Sequence, residues 1–273
     1  MPPDIIGLLP AGGRATRLAP LPLSKELYPV GFEAIAPQGD LRPSDLRPGD
    51  LRPKVVSHYL LEKMRQGGVR KAFFILRPGK WDIPEYFGDG SRLDMHLGYL
   101  TVHVAHGVPY TLDQAYPFVK DAIVALGFPD ILFQPMNAFA RLLARQAQSQ
   151  ADVVLGLFPT ENYRKVGVVD FDAAGRVHQI IEKPQETHLR YMWAIAVWTP
   201  AFTEFLHHYL KTFVSERELP IGDVIQAGIA AGLRVEAEAF ADGSYLDVGT
   251  PEDLMRAVRE GATEKRREDA TKS

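Results

Sequence analysis

Cysteine is absent from the 273 residues, which excludes disulfides and thiolate metal sites and removes any reason to expect an oxidising compartment. No stretch approaches the ~20 apolar residues of a membrane helix. The opening Met-Pro-Pro-Asp lacks the cationic and apolar regions of a secretory signal, so a cytoplasmic chain without membrane attachment is expected. An excess of one charge is missing too: 31 Lys and Arg stand against 34 Asp and Glu, a formal net charge of −3. Nucleic acid therefore finds no general attraction, and any polyanion must be held by local cations. Neither Gly-x-x-x-x-Gly-Lys-Ser/Thr nor Gly-x-Gly-x-x-Gly occurs, which removes the common ATPase loop and argues against a dinucleotide-dependent oxidoreductase.

What is present begins with residues 7 to 30, where an apolar strand runs into Ala11-Gly12-Gly13 and then into Arg14, Arg17 and Lys25. Glycines let the backbone turn sharply and bring several N–H groups toward an anion, and the cations supply charge to a bound polyphosphate. Read from the residues alone, this is either a nucleotide phosphate loop or a tight turn.

With 46% hydrophobic and 24% charged residues, the chain can bury a sizeable core. Ile5 to Leu9 reads as a strand, Val55 to Gln66 as a helix with Val56, Tyr59, Leu60 and Met64 on one face, and Lys71 to Leu76 as a strand. A second unit follows: Asp113 to Lys120 helical, Ala122 to Leu126 a buried strand, Ala138 to Gln148 a helix, and Asp152 to Phe158 a strand. This alternation predicts an α/β fold with a mostly parallel, Rossmann-like sheet flanked by helices. In such sheets ligands bind at the carboxyl ends of the strands, where the loops after Leu9 and around Asp130 would emerge together. Asp40 to Pro53 repeats Asp-Leu-Arg-Pro three times; its prolines block regular helix, and an exposed insertion at about 36–53 is expected. The charged tail over 262–273 is expected to be a frayed helix or disordered.

Pro10-Ala11-Gly12-Gly13-Arg14-Ala15-Thr16-Arg17-Leu18, then Pro20, then Ser24-Lys25-Glu26-Leu27-Tyr28-Pro29-Val30 resembles the signature of the sugar-1-phosphate nucleotidyltransferases. Within them it is most similar to the glucose-1-phosphate thymidylyltransferases. Further motifs fall in family order: Phe87-Gly88-Asp89-Gly90-Ser91, Gln114-Ala115, Phe133, Gly167 to Asp172, Glu182-Lys183-Pro184, and Asp247-Val248-Gly249-Thr250-Pro251-Glu252. They cover residues 5 to about 258, so one nucleotidyltransferase domain over 1–261 is expected, without the C-terminal β-helix some relatives carry.

The resemblance implies a reaction between a nucleoside triphosphate, with dTTP favoured and UTP or another base open, and a sugar 1-phosphate, with Mg²⁺ as cofactor and a homo-oligomeric state. It also implies roles. Leu9, Ala11, Gly12, Gly13 and Gln114 would bind the nucleotide; Arg17 would hold the leaving pyrophosphate; Lys25 would offset charge during transfer. Gly167, Glu182, Lys183 and Trp193 would bind the sugar phosphate, and Asp130 and Asp247 the metal. Chemistry agrees with such a set, because two anions must approach one another and hard carboxylate oxygens suit Mg²⁺. A phosphate oxygen is already ionised at neutral pH, so no side-chain general base is needed. The eight histidines show no ligand spacing and are expected at packing or surface positions.

Departures from the family pattern cluster in the pocket walls. Ala15, Thr111 and Ala194 replace glycines, Pro129 stands before Asp130 where the family has glycine, Asp113 precedes Gln114, and Trp193 is introduced. Added bulk should reshape the sugar pocket. A catalytically weak protein, or a non-catalytic sensor of nucleotides on the same fold, is the alternative.

Overall fold

The computed structural model describes residues 3–34, 51–102, 107–213 and 218–260. Strand β1 (Ile5–Ala11) leads through the glycine loop to a short 3-10 turn at Lys25–Leu27 and a ribbon of β2 (Pro29–Ala34) and β3 (Leu51–Val55). Helix α1 (Val56–Gln66), β4 (Lys71–Leu76), α2 (Asp82–Phe87) and β5 (His96–Thr101) follow. Next come α3 (Val108–Asp113), α4 (Tyr116–Val119), β6 (Ile123–Gly127), β7 (Ile131–Gln134) and α5 (Ala138–Ser149). Strands β8 (Val153–Pro159), β9 (Gly167–Phe171), β10 (Val177–Glu182) and β11 (Tyr191–Trp198) precede α6 (Pro200–Thr212) and α7 (Ile221–Ala230). The chain continues through β12 (Val235–Ala239), β13 (Ser244–Asp247) and a helix over 251–260.

Nine strands form one sheet, with the path β10-β9-β11-β6-β1-β4-β5 and β8 bonded to both β11 and β12. The block β6-β1-β4-β5 and the pair β8-β12 are parallel, whereas β11 runs antiparallel to β6, β8 and β9. This is the expected Rossmann-like architecture, made mixed by β11, inserted between β6 and β8, and by β10, which runs antiparallel to β9. In β8, Val153, Leu155 and Leu157 face one side while Val154 and Phe158 face the other, the alternation of a strand buried on both faces. Phe202, Leu206, Val224 and Ile225 of α6 and α7 cover the first face; Leu60, Leu61, Met64, Phe139 and Leu142 of α1 and α5 cover the second. Helix α1 has no side-chain N-cap bond. Burying large apolar side chains at roughly 1.5–3 kcal/mol each is what docks it.

Of the helix expected over 113–120 only Tyr116–Val119 forms one, as α4, because α3 ends at Asp113. Pro117 sits in the first turn of α4 and has no N–H to give the Asp113 carbonyl four residues back, so the hydrogen-bond ladder breaks at Gln114 and Ala115 and restarts at Tyr116. Of the Asp-Leu-Arg-Pro repeat, the first two units lie outside the described residues, as does 261–273. The third unit is not a loop: Leu51, Arg52 and Pro53 pair with Ala34, Glu33 and Phe32 across the ribbon. A two-stranded ribbon has free outer edges, where proline costs no ladder bond. His58 in α1 is buried and lies 3.0 Å from Glu33 and 3.3 Å from Glu62 through Nε2. Arg52 and Lys54 take the second oxygens of those carboxylates, so the ribbon is tied to α1 by a closed ion network.

Candidate active site

Parallel register pairs Leu8 of β1 with Leu126 of β6, so the loops after both strands leave from the same edge of the sheet. The β1 loop starts at Gly12, and the β6 loop carries Asp130. Leu9 and Ala11 are buried in the strand, with the glycines opening toward the surface. A Cβ on Gly12 would meet Thr111 Oγ1 at 3.6 Å, whereas one on Gly13 would meet nothing. Ala15, where the family pattern has glycine, holds φ +51, a left-handed conformation that costs an alanine roughly 1–2 kcal/mol.

Lys25 and Asp130 form a close ion pair, each side chain mostly buried. Burial works against the ammonium, but the carboxylate of Asp130 first, and then Glu26 and Asp247, outweigh it and hold the Lys25 pKa above the usual lysine value. Asp247 reaches the same place from β13: it pairs with Ile131 across the β7–β13 ladder, and the Val248 N–H donates to the Asp130 carbonyl at 2.9 Å. Burial pushes the Asp247 carboxyl up, Asp130 pushes it further, and Lys25 and Arg17 pull the other way. Two carboxylates with oxygen donors only, each raising the energy of the other's charge, suit a hard divalent cation. The Arg17 guanidinium flanks Gly249 beside Asp247: a Cβ there would lie 3.1 Å from Arg17 Nη2 and 3.2 Å from Asp247 Oδ1.

Two cavities open on this edge. The outer one, about 610 Å³, is lined by Arg17, Lys165, Lys183, Asp247 and Arg256 among others. The inner one, about 470 Å³, is lined by Asp130, Gly167, Glu182, Lys183, Trp193 and Asp247 among others. Glu182 stands at the end of β10 opposite Gly167. A Cβ on Gly167 would fall 2.7 Å from its Oε1, and one on Gly222 of α7 only 2.0 Å, so two glycines make the slot that the carboxylate fills. Burial first, then the charge of Asp223, pushes the Glu182 carboxyl up, with Lys183 opposing. No described residue donates a hydrogen bond to that carboxylate. Lys183 follows it with φ +47, a conformation held by its N–H bond to the Val166 carbonyl at 3.0 Å. Trp193 packs its ring 6.0 Å from that of Phe128 and forms a wall of the inner cavity.

The fold thus brings Arg17, Lys25, Asp130, Gly167, Glu182, Lys183, Trp193 and Asp247 together, with the β1 glycine loop on the same edge. Gln114 is not among them: it is exposed at the end of α3, its amide donates back to the Tyr110 carbonyl at 3.4 Å, and it lines neither cavity. Thr111, one helical turn earlier, is the α3 residue that faces Gly12. Sequence reading passed over Lys165, which lines the inner cavity, and Gly222 and Asp223, which stand beside Glu182, because they come from two segments far from one another in the chain. It also missed that His58, Glu33 and Glu62 form a cluster with metal-ligand spacing; the cations on both carboxylates occupy that cluster.

Residues 51–264 match the family model described as nucleotidyl transferase. The chain is 26% identical over 256 residues to the low-salt glycan biosynthesis nucleotidyltransferase Agl11 of Haloferax volcanii, with 92% of this chain and 64% of that protein's length covered. It is 27% identical over 260 residues to a glucose-1-phosphate thymidylyltransferase of an Actinoplanes species, covering 92% of this chain and 76% of the relative. The crystal structure of a UDP-glucose pyrophosphorylase complexed with UDP-glucose superposes with a TM-score of 0.77 at 16% identity, over 96% of this chain and 99% of that one. At that identity the superposition establishes the fold.

Proposed function

The chain belongs to the nucleotidyl transferase family, and from that premise we propose that it transfers a nucleotidyl group from a nucleoside triphosphate to a sugar 1-phosphate. An oxygen of the sugar phosphate attacks the α-phosphorus, the bond from that phosphorus to the β-phosphate oxygen breaks, and pyrophosphate leaves with the charge. No proton need move, since the attacking oxygen is ionised at neutral pH. The observation that carries this reading is the meeting of the two cavities at Lys165, Lys183 and Asp247. One cavity is rimmed by cations for a polyphosphate; the other ends in a hydrogen-bond-starved carboxylate for sugar hydroxyls.

In this reading Arg17 holds the β- and γ-phosphates through its fork of donors. Lys25, kept charged by Asp130, offsets charge that builds on the transferring phosphate. Glu182 accepts from sugar hydroxyls and sets the ring's orientation, and Trp193 limits its width. Asp130 and Asp247 are the residues that would hold Mg²⁺, which supplies charge neutralisation at the phosphates when bound. Positioning and electrostatics carry most of the acceleration. The name of the Actinoplanes relative favours dTTP and that of the superposed structure UTP. Thr111, standing against Gly12 where the family pattern has glycine, narrows the approach to the loop and is the observation that favours the alternative, a nucleotide sensor without turnover.

Pyrophosphate release decides between them. Purified protein with Mg²⁺ is assayed with dTTP, UTP, CTP, GTP and ATP against glucose, galactose, mannose and N-acetylglucosamine 1-phosphates. Release with dTTP or UTP and at least one sugar phosphate, lost on chelation and reduced about 100-fold or more in Lys25→Ala, is the expected result. No release from any pair overturns the transferase reading, and a nucleotide-induced rise in Tm without release assigns the sensor.

A further inference from the structure

Among the described residues the inner cavity is short of positive charge for the ligand it is proposed to take. Among the described residues its lining includes four carboxylates, Asp130, Glu182, Glu218 and Asp247, against two cations, Lys165 and Lys183. Lys25 and Asp130 offset one another, which leaves three carboxylates, Glu182, Glu218 and Asp247, against the two cations. A sugar 1-phosphate carries about −1.5 to −2 at neutral pH. Lys183 alone leaves roughly half of that charge unmatched in a cavity whose other ionic groups, among the described residues and Lys165 apart, are acidic.

Lys165 is the group that can supply the rest. Among the described residues it and Lys183 are the two cations that line both cavities, so they stand at the seam where the acceptor phosphate must meet the α-phosphate. The chain holds them there by pairing: Gly167 opposes Glu182 in the β9–β10 ladder, and the next step outward is the Lys183 N–H to Val166 carbonyl bond. Lys165 and Lys183 therefore leave the ends of two hydrogen-bonded strands on the same edge. Lys165 closes a 3-10 turn over Tyr163–Lys165, is exposed, and forms no ion pair among the described residues. By contrast the neighbouring Arg164 donates to the Gln185 carbonyl at 3.1 Å, and Arg256 pairs with Glu260.

We infer that Lys165 is a second phosphate-binding residue for the acceptor, acting with Lys183 to hold the sugar 1-phosphate at the junction of the two cavities. The inference rests on the transferase reading of this site. Lys165 neutralises the acceptor phosphate and leaves the triphosphate to Arg17 and the β1 loop.

Two measurements test it, one of which needs no turnover. In steady-state assays Lys165→Met should raise KM for the sugar 1-phosphate about tenfold, with KM for the triphosphate changed less than about twofold and Lys165→Arg recovering most of the loss. Equal rises in both KM values, or none, overturn it. Acetylation by acetic anhydride, read residue by residue by mass spectrometry, should slow about threefold or more at both Lys165 and Lys183 when one of the four sugar 1-phosphates above is added, with exposed Lys211 on α6 as the unchanged control. Protection of Lys183 without Lys165, or of neither, overturns the inference. Protection of both in a protein that releases no pyrophosphate sinks the transferase reading while the phosphate site stands.

Discussion

Lys80 donates through Nζ to Glu26 Oε1 at 2.6 Å, directly behind Lys25, in a place where only 1% of Glu26 is exposed. The other oxygen of that carboxylate has no hydrogen-bond partner, and burial pushes its pKa up against the pull of Lys80. Removing one member of such a pair costs far more than removing both. Lys80→Met is expected to destabilise by about 3–5 kcal/mol, and Lys80→Met with Glu26→Gln to recover at least half of that, as measured by urea unfolding. A single variant as stable as the wild type would show that the pair contributes nothing.

The same 3-10 turn is gripped from a second side. Asp82, at the start of α2, accepts the Ser24 N–H at 2.6 Å and the Ser24 hydroxyl at 2.7 Å, which sets the direction in which Lys25 leaves the turn. Asp82→Ala should lower kcat about tenfold with KM nearly unchanged, and should have little further effect in a Lys25→Ala background. Equal losses in both backgrounds would mean that Asp82 does not act through Lys25.

Gly222 sets helix propensity against site geometry. Alanine is the better helix former by about 1 kcal/mol, yet its Cβ would lie 2.0 Å from Glu182 Oε1. Gly222→Ala is expected to lower kcat/KM about tenfold or more, chiefly through KM for the sugar phosphate, at unchanged or slightly raised Tm. Full activity would remove Glu182 from the sugar site.

Acid should loosen the ribbon's ion network through Glu62. Burial raises its carboxyl, but hydrogen bonding from His58 and the charge of Lys54 outweigh this and hold its pKa at about 2. Because the folded value is depressed, the stabilisation is complete above the ordinary carboxylate value of 4.5 and is lost as pH falls from there toward about 2. Glu62→Gln should cost about 1–3 kcal/mol at pH 6 and much less near pH 2.5, measured by urea unfolding at both. A cost independent of pH would assign the residue a packing role only.

Strand Lys71–Leu76 and helix Val56–Gln66 were legible because their apolar periods are local properties of the chain. The break at Gln114 and Ala115 was less so: Pro117 stands inside an otherwise helical apolar pattern, and pattern alone does not say whether a helix kinks or restarts. Leu51 to Pro53 read as a proline-rich insertion, but the partner that makes them a strand lies across the ribbon in β2. In the site, Arg17, Lys25 and Asp247 could be picked out because motif order marks them. Gly222 and Lys165 could not, since their meaning depends on what packs beside Glu182 and Lys183.

Composition, motif order and the run of glycines and cations in residues 7 to 30 determined the family and the α/β frame, because residue type and local spacing suffice for both. Which of those residues meet was decided by tertiary structure. Strand register puts Asp247 beside Ile131 and Gly167 opposite Glu182, and helix docking presents Thr111 rather than Gln114 to the loop. One turn of α3 separates those two side chains. The docking of that helix on the sheet, which local pattern does not encode, selects between them.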